Sequence, residues 1–358
     1  MADAEVIRLD RARSARTGPS RPGARVKCHA TTSSGRPCRN FATDGSDYCS
    51  VHTRSAPVQP ARSTASSGDG RVRSGSPLLS GATPQRGAVE EFVRRRMAGD
   101  YEIDDFGLDE ELYREVLLPL TRPLYERYFR VRSLGVDRIP DTGPALIVGN
   151  HSGTIALDAV MVQYAVATEH PGKRIIRNIG ADLVYELPLI GPLARKGGAA
   201  VASEEDAREL LARGELVGVY PEGFKGVGKG WRERYKLQRF GRGGFMETAL
   251  RTRVPIIPVA IVGAEEAFPM IGNAKWLAKA LGMPYFPITP TFPLLGPLGL
   301  LPLPSKWVIE FGSPIPMDDY PEDAADDAML VFDLADRVRD TIQQMLYRNL
   351  QQRKGAFF

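Results

Sequence analysis

The sequence has little of what a secreted or membrane-spanning protein needs. It contains three cysteines in 358 residues, all between residues 28 and 49, and an odd number excludes a framework of disulfides alone. No apolar run requires a membrane-spanning helix, and the first 25 residues lack the apolar core of a signal peptide. A Gly-x-Ser-x-Gly nucleophile elbow is also absent, which argues against a hydrolase. We therefore expect a cytoplasmic protein.

The composition is that of a folded enzyme-sized domain with extensions. Apolar residues make up 43% of the chain and charged residues 25%, enough for one sizeable α/β domain. Residues 1–88 carry 14 Arg and Lys against 6 Asp and Glu, whereas the remainder carries 33 against 37. A basic arm thus precedes a mildly acidic body. Such an arm is either a solvated disordered tail or a contact for anionic lipid or nucleic acid.

The arm divides into three parts. Residues 1–24 are predicted to be a disordered basic tail, and residues 55–87 a disordered linker of mainly Ser, Pro, Gly, Ala and Arg. Neither can bury enough apolar surface to offset the entropy lost on ordering. Residues 25–54 resemble short Cys3His motifs found attached to unrelated proteins. We expect a structural zinc ion there, against the alternative of incidental thiols, with these ligands: Cys28, Cys38, Cys49 and His52.

The centre of the chain is organised around residues 146–160, where an apolar strand stops at Gly149 and an apolar helix follows a polar turn. His151 lies in the turn and Asp158 near the start of the helix. The imidazole can act as a general base at neutral pH, and the carboxylate can fix its tautomer and stabilise the imidazolium that forms. The alternative is a structural histidine at a strand end, with Asp158 as a helix cap.

Two later strands end in similar turns. Residues 217–223 read Val-Gly-Val-Tyr-Pro-Glu-Gly, and residues 254–263 form a strand with proline at its start and middle. The three segments resemble, in order, the "NH-x-D", "FPEG" and "VPIIPV" blocks of the lysophospholipid and glycerol-phosphate acyltransferase superfamily. The resemblance covers about residues 134–316. Alternation of strands and helices predicts an α/β sandwich with a mostly parallel central sheet, and His151 and Glu222 at the carboxyl ends of its strands.

The resemblance implies transfer of a fatty acyl group from acyl-CoA or acyl-carrier protein to a glycerolipid hydroxyl, such as that of 1-acylglycerol-3-phosphate. His151 and Asp158 would be catalytic, and no metal or cofactor would be needed for the step. The enzyme would act as a peripheral protein on the cytoplasmic face of the membrane. A catalytically inactive lipid-binding or scaffold protein is the alternative class.

The same resemblance assigns acceptor binding to the second turn, which comprises Tyr220, Pro221, Glu222 and Gly223. The alternative for Glu222 is a carboxylate that bonds backbone amides of a tight turn. Six residues separate His151 from Asp158 where the family usually has four, so the loop must bulge or the helix must start late. Ser203 stands where the family usually has a phosphate-binding arginine. Either Arg195, Lys225 or Arg234 replaces that cation, or the acceptor is a neutral glyceride or glycolipid.

Three further segments are assigned less specifically. The cations of residues 225–242 suit nucleic acid by composition, but we expect a basic rim for phosphate or CoA and no nucleic acid. Residues 88–132 are predicted to form an amphipathic helical segment, either packed on the domain or interfacial, ahead of an acyltransferase domain at residues 133–354. Residues 281–304 hold seven prolines and cannot form a regular spanning helix. They are either a membrane or acyl-chain contact or ordinary packing.

Overall fold

The computed structural model describes residues 86–153, 155–241, 243–280 and 282–357. The predicted basic tail, zinc motif and most of the linker lie outside this part of the chain, and so do Cys28, Cys38, Cys49 and His52. Their assignment stays a prediction. Within the described residues no helix is long and apolar enough to cross a membrane.

The described residues alternate strands with helices along the chain. The strands are β1 Arg132–Leu134, β2 Ala145–Gly149, β3 Ile176–Gly180, β4 Ala200–Val201, β5 Leu216–Val219, β6 Ile256–Val262, β7 Gly272–Asn273, β8 Pro287–Ile288 and β9 Val308–Phe311. The helices are α1 Arg86–Ala98, α2 Glu110–Leu112, α3 Leu118–Pro123, α4 Leu157–Glu169, α5 Asp182–Glu186, α6 Ile190–Lys196, α7 Glu204–Ala212, α8 Phe224–Val227, α9 Gly244–Thr252, α10 Ala264–Ala267, α11 Lys275–Ala280 and α12 Ala328–Gln352.

Seven strands form the central sheet in the order β1-β9-β6-β2-β5-β3-β4. The five from β6 to β4 are parallel, and the antiparallel pairing of β6 with β9 makes β9 and β1 run the other way. The predicted mostly parallel α/β sheet is therefore confirmed. Pro258 fits inside β6 because it directly precedes Val259, whose partner Phe311 is the last residue of β9, so its missing N–H removes no bond from that ladder.

The sheet is covered on both faces. In β2, Leu146 and Val148 pack into one apolar cluster with α7, α9 and α12, whereas Ala145 and Ile147 pack into another with α4 and the N-terminal helices. Alternate residues of a strand point to opposite faces, so a strand buried on both sides carries apolar residues at every position. The layers on both faces hold the strands in place, and with them the turns that follow the strand ends.

The segment before the sheet is helical, but its buried face differs from the one that the sequence predicts. The apolar spacing predicts a buried stripe made of Leu112, Val116, Leu117, Leu120, Leu124 and Tyr128. Tyr113, Leu118 and Tyr125 are buried, whereas Leu120 is 73% exposed. Residues 113–117 and 124–128 form π-helical turns. These shift the periodicity, because a π turn repeats after five residues rather than four. The segment packs on the domain.

Two boundaries differ from what the sequence predicts, which is a loop or turn over residues 188–193 and an amphipathic last helix over residues 323–350. The first of these segments is partly helical, since α6 begins at Ile190. Pro192 lies in its first turn, where the backbone N–H that proline lacks has no helical partner to lose. The last helix, expected from residue 323, begins at Ala328 behind a short 3-10 turn, and Asp327 caps it by accepting from the amides of Met329 and Leu330.

Candidate active site

Three adjacent parallel strands end at the same edge of the sheet. After β2 come Asn150 and His151, after β5 come Tyr220 to Glu222, and after β6 come Gly263 to Glu265. Because these strands are neighbours and parallel, their turns meet. The predicted meeting of His151 with Glu222 is therefore observed, and Glu265 joins them.

His151 and Asp158 are in direct contact. The Nδ1 atom of His151 lies 2.8 Å from Oδ2 of Asp158, whose side chain is fully buried, whereas the imidazole keeps 16% of its surface exposed. Six intervening residues permit this because α4 begins only at Leu157, so that Asp158 occupies its second position. With Nδ1 bonded to the carboxylate, Nε2 is the ring nitrogen left for a substrate.

The pKa of His151 results from opposed effects. Burial lowers it, but the charge and hydrogen bond of Asp158 raise it by more, and Glu222 adds to the rise, so the pKa lies above the ordinary 6.5. A raised pKa means a stronger base, provided that the imidazole is neutral when substrate binds. Asp158 also accepts from the amide of Ser152 at 2.8 Å, so this amide is not free to meet an oxyanion.

Asn150 fixes the turn to the neighbouring strand. Its side chain is fully buried; Nδ2 donates to the carbonyl of Ile261 at 3.0 Å and Oδ1 accepts from the Ile261 amide at 2.7 Å. Beyond the end of β2, β6 has no strand partner on this side, and the Asn150 side chain bonds the backbone of Ile261 in its place. The histidine is thereby held on a rigid element, as a positioned base requires.

Glu222 bonds backbone amides, which is the structural role given above as the alternative to acceptor binding. The side chain is buried; Oε1 accepts from the backbone amide of His151 at 3.0 Å and Oε2 from the amide of Gln238 at 2.7 Å. A Cβ added at Gly226 would lie 2.5 Å from the carbonyl of His151, so only glycine permits this close approach. The turn after β5 thus packs closely against the turn after β2 and holds the backbone of His151 in place.

Lys229 was predicted to be part of a basic rim but is buried. Its Nζ lies 3.3 Å from Oε2 of Glu222 and 3.1 Å from Oε1 of Glu265, and the side chain is only 4% exposed. Burial raises the pKa of Glu265 to about 7, against the lowering effect of Lys229. One buried cation thus contacts two buried carboxylates.

The other predicted site residues take different positions. The Tyr220 ring lies 5.0 Å from the His151 ring, centroid to centroid, and its buried hydroxyl has no hydrogen-bond partner among the described residues. Burial raises the pKa of this hydroxyl well above 10, so it stays protonated. Pro221 is half-buried in the turn, and Gly223 adopts a φ of 52°. That φ is in the left-handed region which glycine tolerates.

The cations considered as replacements for the missing arginine are all exposed, but they lie on different elements. Arg195 is on α6, with its guanidinium carbon 5.1 Å from the Tyr185 ring centroid, and Lys225 is on α8. Arg234 stacks 4.3 Å from the Trp231 ring centroid. Arg234 lines a small cleft, whose other walls include Gly153, Lys229 and Glu265. Of the three, Arg234 is thus the one that this cleft connects to the histidine turn.

Sequence reasoning missed Asn150, Lys229 and Glu265. The rule that parallel strands end at a common edge would have found Glu265, since it follows β6 after two residues. Nothing local distinguishes Lys229 from the exposed cations around it, because its partners are seven and thirty-six residues away.

Lys229→Met is expected to lower the free energy of unfolding by about 3–5 kcal/mol, because it leaves two buried carboxylates without their cation. Urea denaturation of the variant measures this. Lys236→Met is the matched control: that side chain is 61% exposed, and its loss should cost no more than about 0.5 kcal/mol. Equal effects in both variants would show that the Lys229 ion pairs contribute nothing specific.

Comparison with known proteins assigns the class. The acyltransferase family model matches residues 130–262, which span the histidine turn, the Glu222 turn and β6. An uncharacterized protein of Mycobacterium tuberculosis is 52% identical over 271 residues, 76% of each chain. Another, from Mycobacterium leprae, is 50% identical over 271 residues, 76% of this chain and 74% of the relative.

More distant proteins are also similar. The human DGAT1/2-independent enzyme synthesizing storage lipids is 27% identical over 215 residues, 59% of each chain. The crystal structure of the 1-acyl-sn-glycerophosphate acyltransferase of Thermotoga maritima aligns with a TM-score of 0.45 and 18% identity, over 75% of this chain and 90% of that one. The observed α/β fold and the matching family model together define the class as an α/β transferase. The chain belongs to the acyltransferase family and is an acyltransferase enzyme.

Proposed function

We propose that the protein transfers a fatty acyl group from acyl-CoA or acyl-carrier protein to a hydroxyl of a glycerol(phospho)lipid, such as 1-acylglycerol-3-phosphate. The observation that carries the mechanism is the 2.8 Å contact between His151 Nδ1 and the buried Asp158 carboxylate. It leaves Nε2 as the base, on an imidazole that retains solvent access. The step needs no metal or cofactor, because the thioester is already activated.

The proposed reaction proceeds through one tetrahedral intermediate. Nε2 of His151 takes the proton of the acceptor hydroxyl as its oxygen forms a bond to the thioester carbonyl carbon. The intermediate then expels the thiolate, and the imidazolium returns the proton to it, giving an ester and a free thiol. Asp158 stabilises the imidazolium between these two steps. We assign a hydrogen bond to substrate to Tyr220, because its ring lies beside that of His151 and its hydroxyl has no partner among the described residues.

The acceptor is proposed to carry a phosphate, held by Arg234 or Lys225. Ser203 cannot bind it as a cation would, and its hydroxyl is occupied as the cap of α7, accepting from the Asp206 amide at 3.0 Å. A neutral glyceride or glycolipid is the second candidate, favoured by the same serine and by the similarity to the human DGAT1/2-independent enzyme synthesizing storage lipids. In either case the enzyme would work as a peripheral protein on the cytoplasmic face of a membrane, with no nucleic-acid partner.

Purified protein incubated with radiolabelled acyl-CoA or acyl-carrier protein and a panel of acceptors tests the proposal. Labelled phosphatidic acid from 1-acylglycerol-3-phosphate would support it, and labelled triacylglycerol from diacylglycerol would select the neutral acceptor. Thioester loss without an acylated product would indicate hydrolysis. Absence of turnover with every pair would favour the inactive scaffold.

If Arg234 holds the acceptor phosphate, Arg234→Gln should raise the KM for 1-acylglycerol-3-phosphate about tenfold, since it removes a charged hydrogen bond, and leave the KM for acyl donor unchanged. Lys225→Ala tests the other cation in the same assay. Arg232→Gln, an exposed arginine on the same 3-10 turn, is the control. An unchanged acceptor KM in both test variants would contradict a phosphate contact by these residues.

A further inference from the structure

The segment that connects β8 to β9 has an unusual surface. Between Lys279 and Lys306 the sequence contains no Asp, Glu, Lys, Arg or His. Residues 291–301 of this segment, here called the leucine loop, nevertheless expose most of their large side chains. The exposed fractions are 85% for Leu294, 58% for Leu295, 69% for Leu298, 40% for Leu300 and 62% for Leu301. Five leucines on one loop form an apolar patch of the kind that marks an interaction surface.

The backbone of the leucine loop is bonded largely within the loop. The amide of Leu295 donates to the carbonyl of Thr291 at 2.9 Å, and the amide of Gly296 donates to Pro293 at 2.9 Å. The hydroxyl of Thr291 donates to the carbonyl of Gly299 at 3.0 Å, which closes the base. A loop closed in this way can enter an apolar phase without leaving these backbone groups unpaired.

The loop emerges beside the edge that carries His151. Ser305, just beyond it, donates through Oγ to the carbonyl of Gly263 at 2.8 Å, at the end of β6. The amide of Leu303 donates to Ala267 in α10 at 2.8 Å. The first residue of α10, Ala264, packs against Gly153 of the histidine turn, where an added Cβ would lie 3.1 Å from the Ala264 carbonyl. The C-terminal end of the loop is therefore anchored to the element that packs on the histidine turn.

The neighbours of the leucine loop are cationic and aromatic. Tyr128 donates through Oη to the carbonyl of Pro302 at 2.6 Å, and Arg130 bonds the carbonyl of Pro304. Trp276, 75% exposed, lies between Lys275 and Lys279 on α11, directly before the uncharged segment. An apolar loop with a tyrosine and an arginine at its base matches the layers of a bilayer, whose interface favours aromatic rings and whose headgroups carry phosphate.

We propose that the leucine loop inserts its exposed leucines into the surface of a lipid bilayer and delivers the membrane-bound acceptor to His151. The proposal rests on the lipid acceptor proposed above. It places the membrane contact on residues 291–301 rather than on the helical segment of residues 110–128, whose apolar side chains are mostly packed on the domain. A bilayer fits better than a protein partner, because the loop offers no charged or amide side chain to fix a specific orientation.

Sedimentation of the full chain with vesicles tests the docking surface. Vesicles of phosphatidylcholine alone, and with phosphatidylglycerol, separate apolar insertion from attraction by the basic arm, because the arm acts through charge. Leu294→Asp combined with Leu298→Asp should lower partition into phosphatidylcholine vesicles by about tenfold or more. Both side chains are exposed, so unfolding is not expected, and circular dichroism checks it. Met329→Asp, at a residue 76% exposed at the start of α12, should partition as the unaltered protein does.

Activity separates this proposal from the proposed function. The double variant should lose about tenfold in rate on an acceptor dispersed in vesicles and keep its rate on a short-chain acceptor that is monomeric in solution. Unaltered partition of the double variant, failure of the wild type to bind either vesicle, or loss of partition only in Leu120→Asp would overturn the docking surface. If the loop binds vesicles but no acceptor is acylated, docking stands and the proposed reaction fails.

Discussion

His151→Ala should lower kcat by about 10⁴-fold with acyl donor and acceptor both saturating, because it removes the proposed base while leaving the rest of the turn in place. The Asp158 carboxylate still accepts from the Ser152 amide, and the backbone amide of residue 151 still donates to Glu222, since neither bond uses the imidazole. We therefore expect the variant to fold and to bind vesicles normally. Single-turnover acylation with radiolabelled donor measures the loss.

His170 supplies a control for the effect of removing a buried histidine. Its ring bonds the carbonyl of Ile139 at 3.0 Å and accepts from the amide of Gly172 at 3.1 Å, away from the strand ends that form the site. His170→Asn should lower the melting temperature and leave kcat nearly unchanged. Normal turnover by His151→Ala, or equal losses of kcat in both variants, would refute general-base catalysis by His151.

Asp158→Asn should lower kcat/KM at neutral pH by up to about 10⁴-fold, because an amide neither fixes the reactive tautomer nor stabilises the imidazolium. The variant should also lose about 1–3 kcal/mol of stability, because the amides of Ser152 and Ala159 bond different carboxylate oxygens and Asn keeps only one of them. A residual rate is expected, since Nε2 remains in place.

The pH profile distinguishes this orienting role from a merely structural one. In the unaltered enzyme the pKa of His151 is raised, so kcat/KM should fall as the pH drops through a value above 6.5 and the imidazole becomes protonated. Asn at position 158 removes the charge that opposes burial, and burial alone lowers the pKa. The acid limb of the profile should therefore move to lower pH in the variant. A limb that stays in place would show that Asp158 does not act through the imidazole.

The sequence was sufficient for the features that depend on local pattern. Continuous apolar runs located the central strands, and the parallel arrangement then placed His151 and Glu222 at one edge, because strand direction decides where each turn lies. Ser203 was recognisable as the cap of α7 from its position before an acidic first turn and an apolar stripe.

Long-range partners were not predictable in the same way. Lys229 and Arg177 look like surface cations in the sequence, but both are buried, and Arg177 bonds Asp104 at 2.6 Å across 73 residues. Only the packing of distant segments decides which of many like-charged residues is enclosed. The buried face of residues 110–128 was mispredicted for a related reason, since π-helical turns leave no clear signature in apolar spacing.

The late start of α4 accommodates six residues between His151 and Asp158, because the start of the helix and the two Asn150 bonds to Ile261 set the positions of the pair. Insertions between the two residues then change the rim of the entrance and not the reacting pair, with Ile155, 40% exposed, as the present rim residue. Evolution can in this way alter which acceptors enter while the proton-transfer geometry is preserved. A search pattern for such enzymes should accordingly specify the asparagine and the helix start, and leave the count of residues between them open.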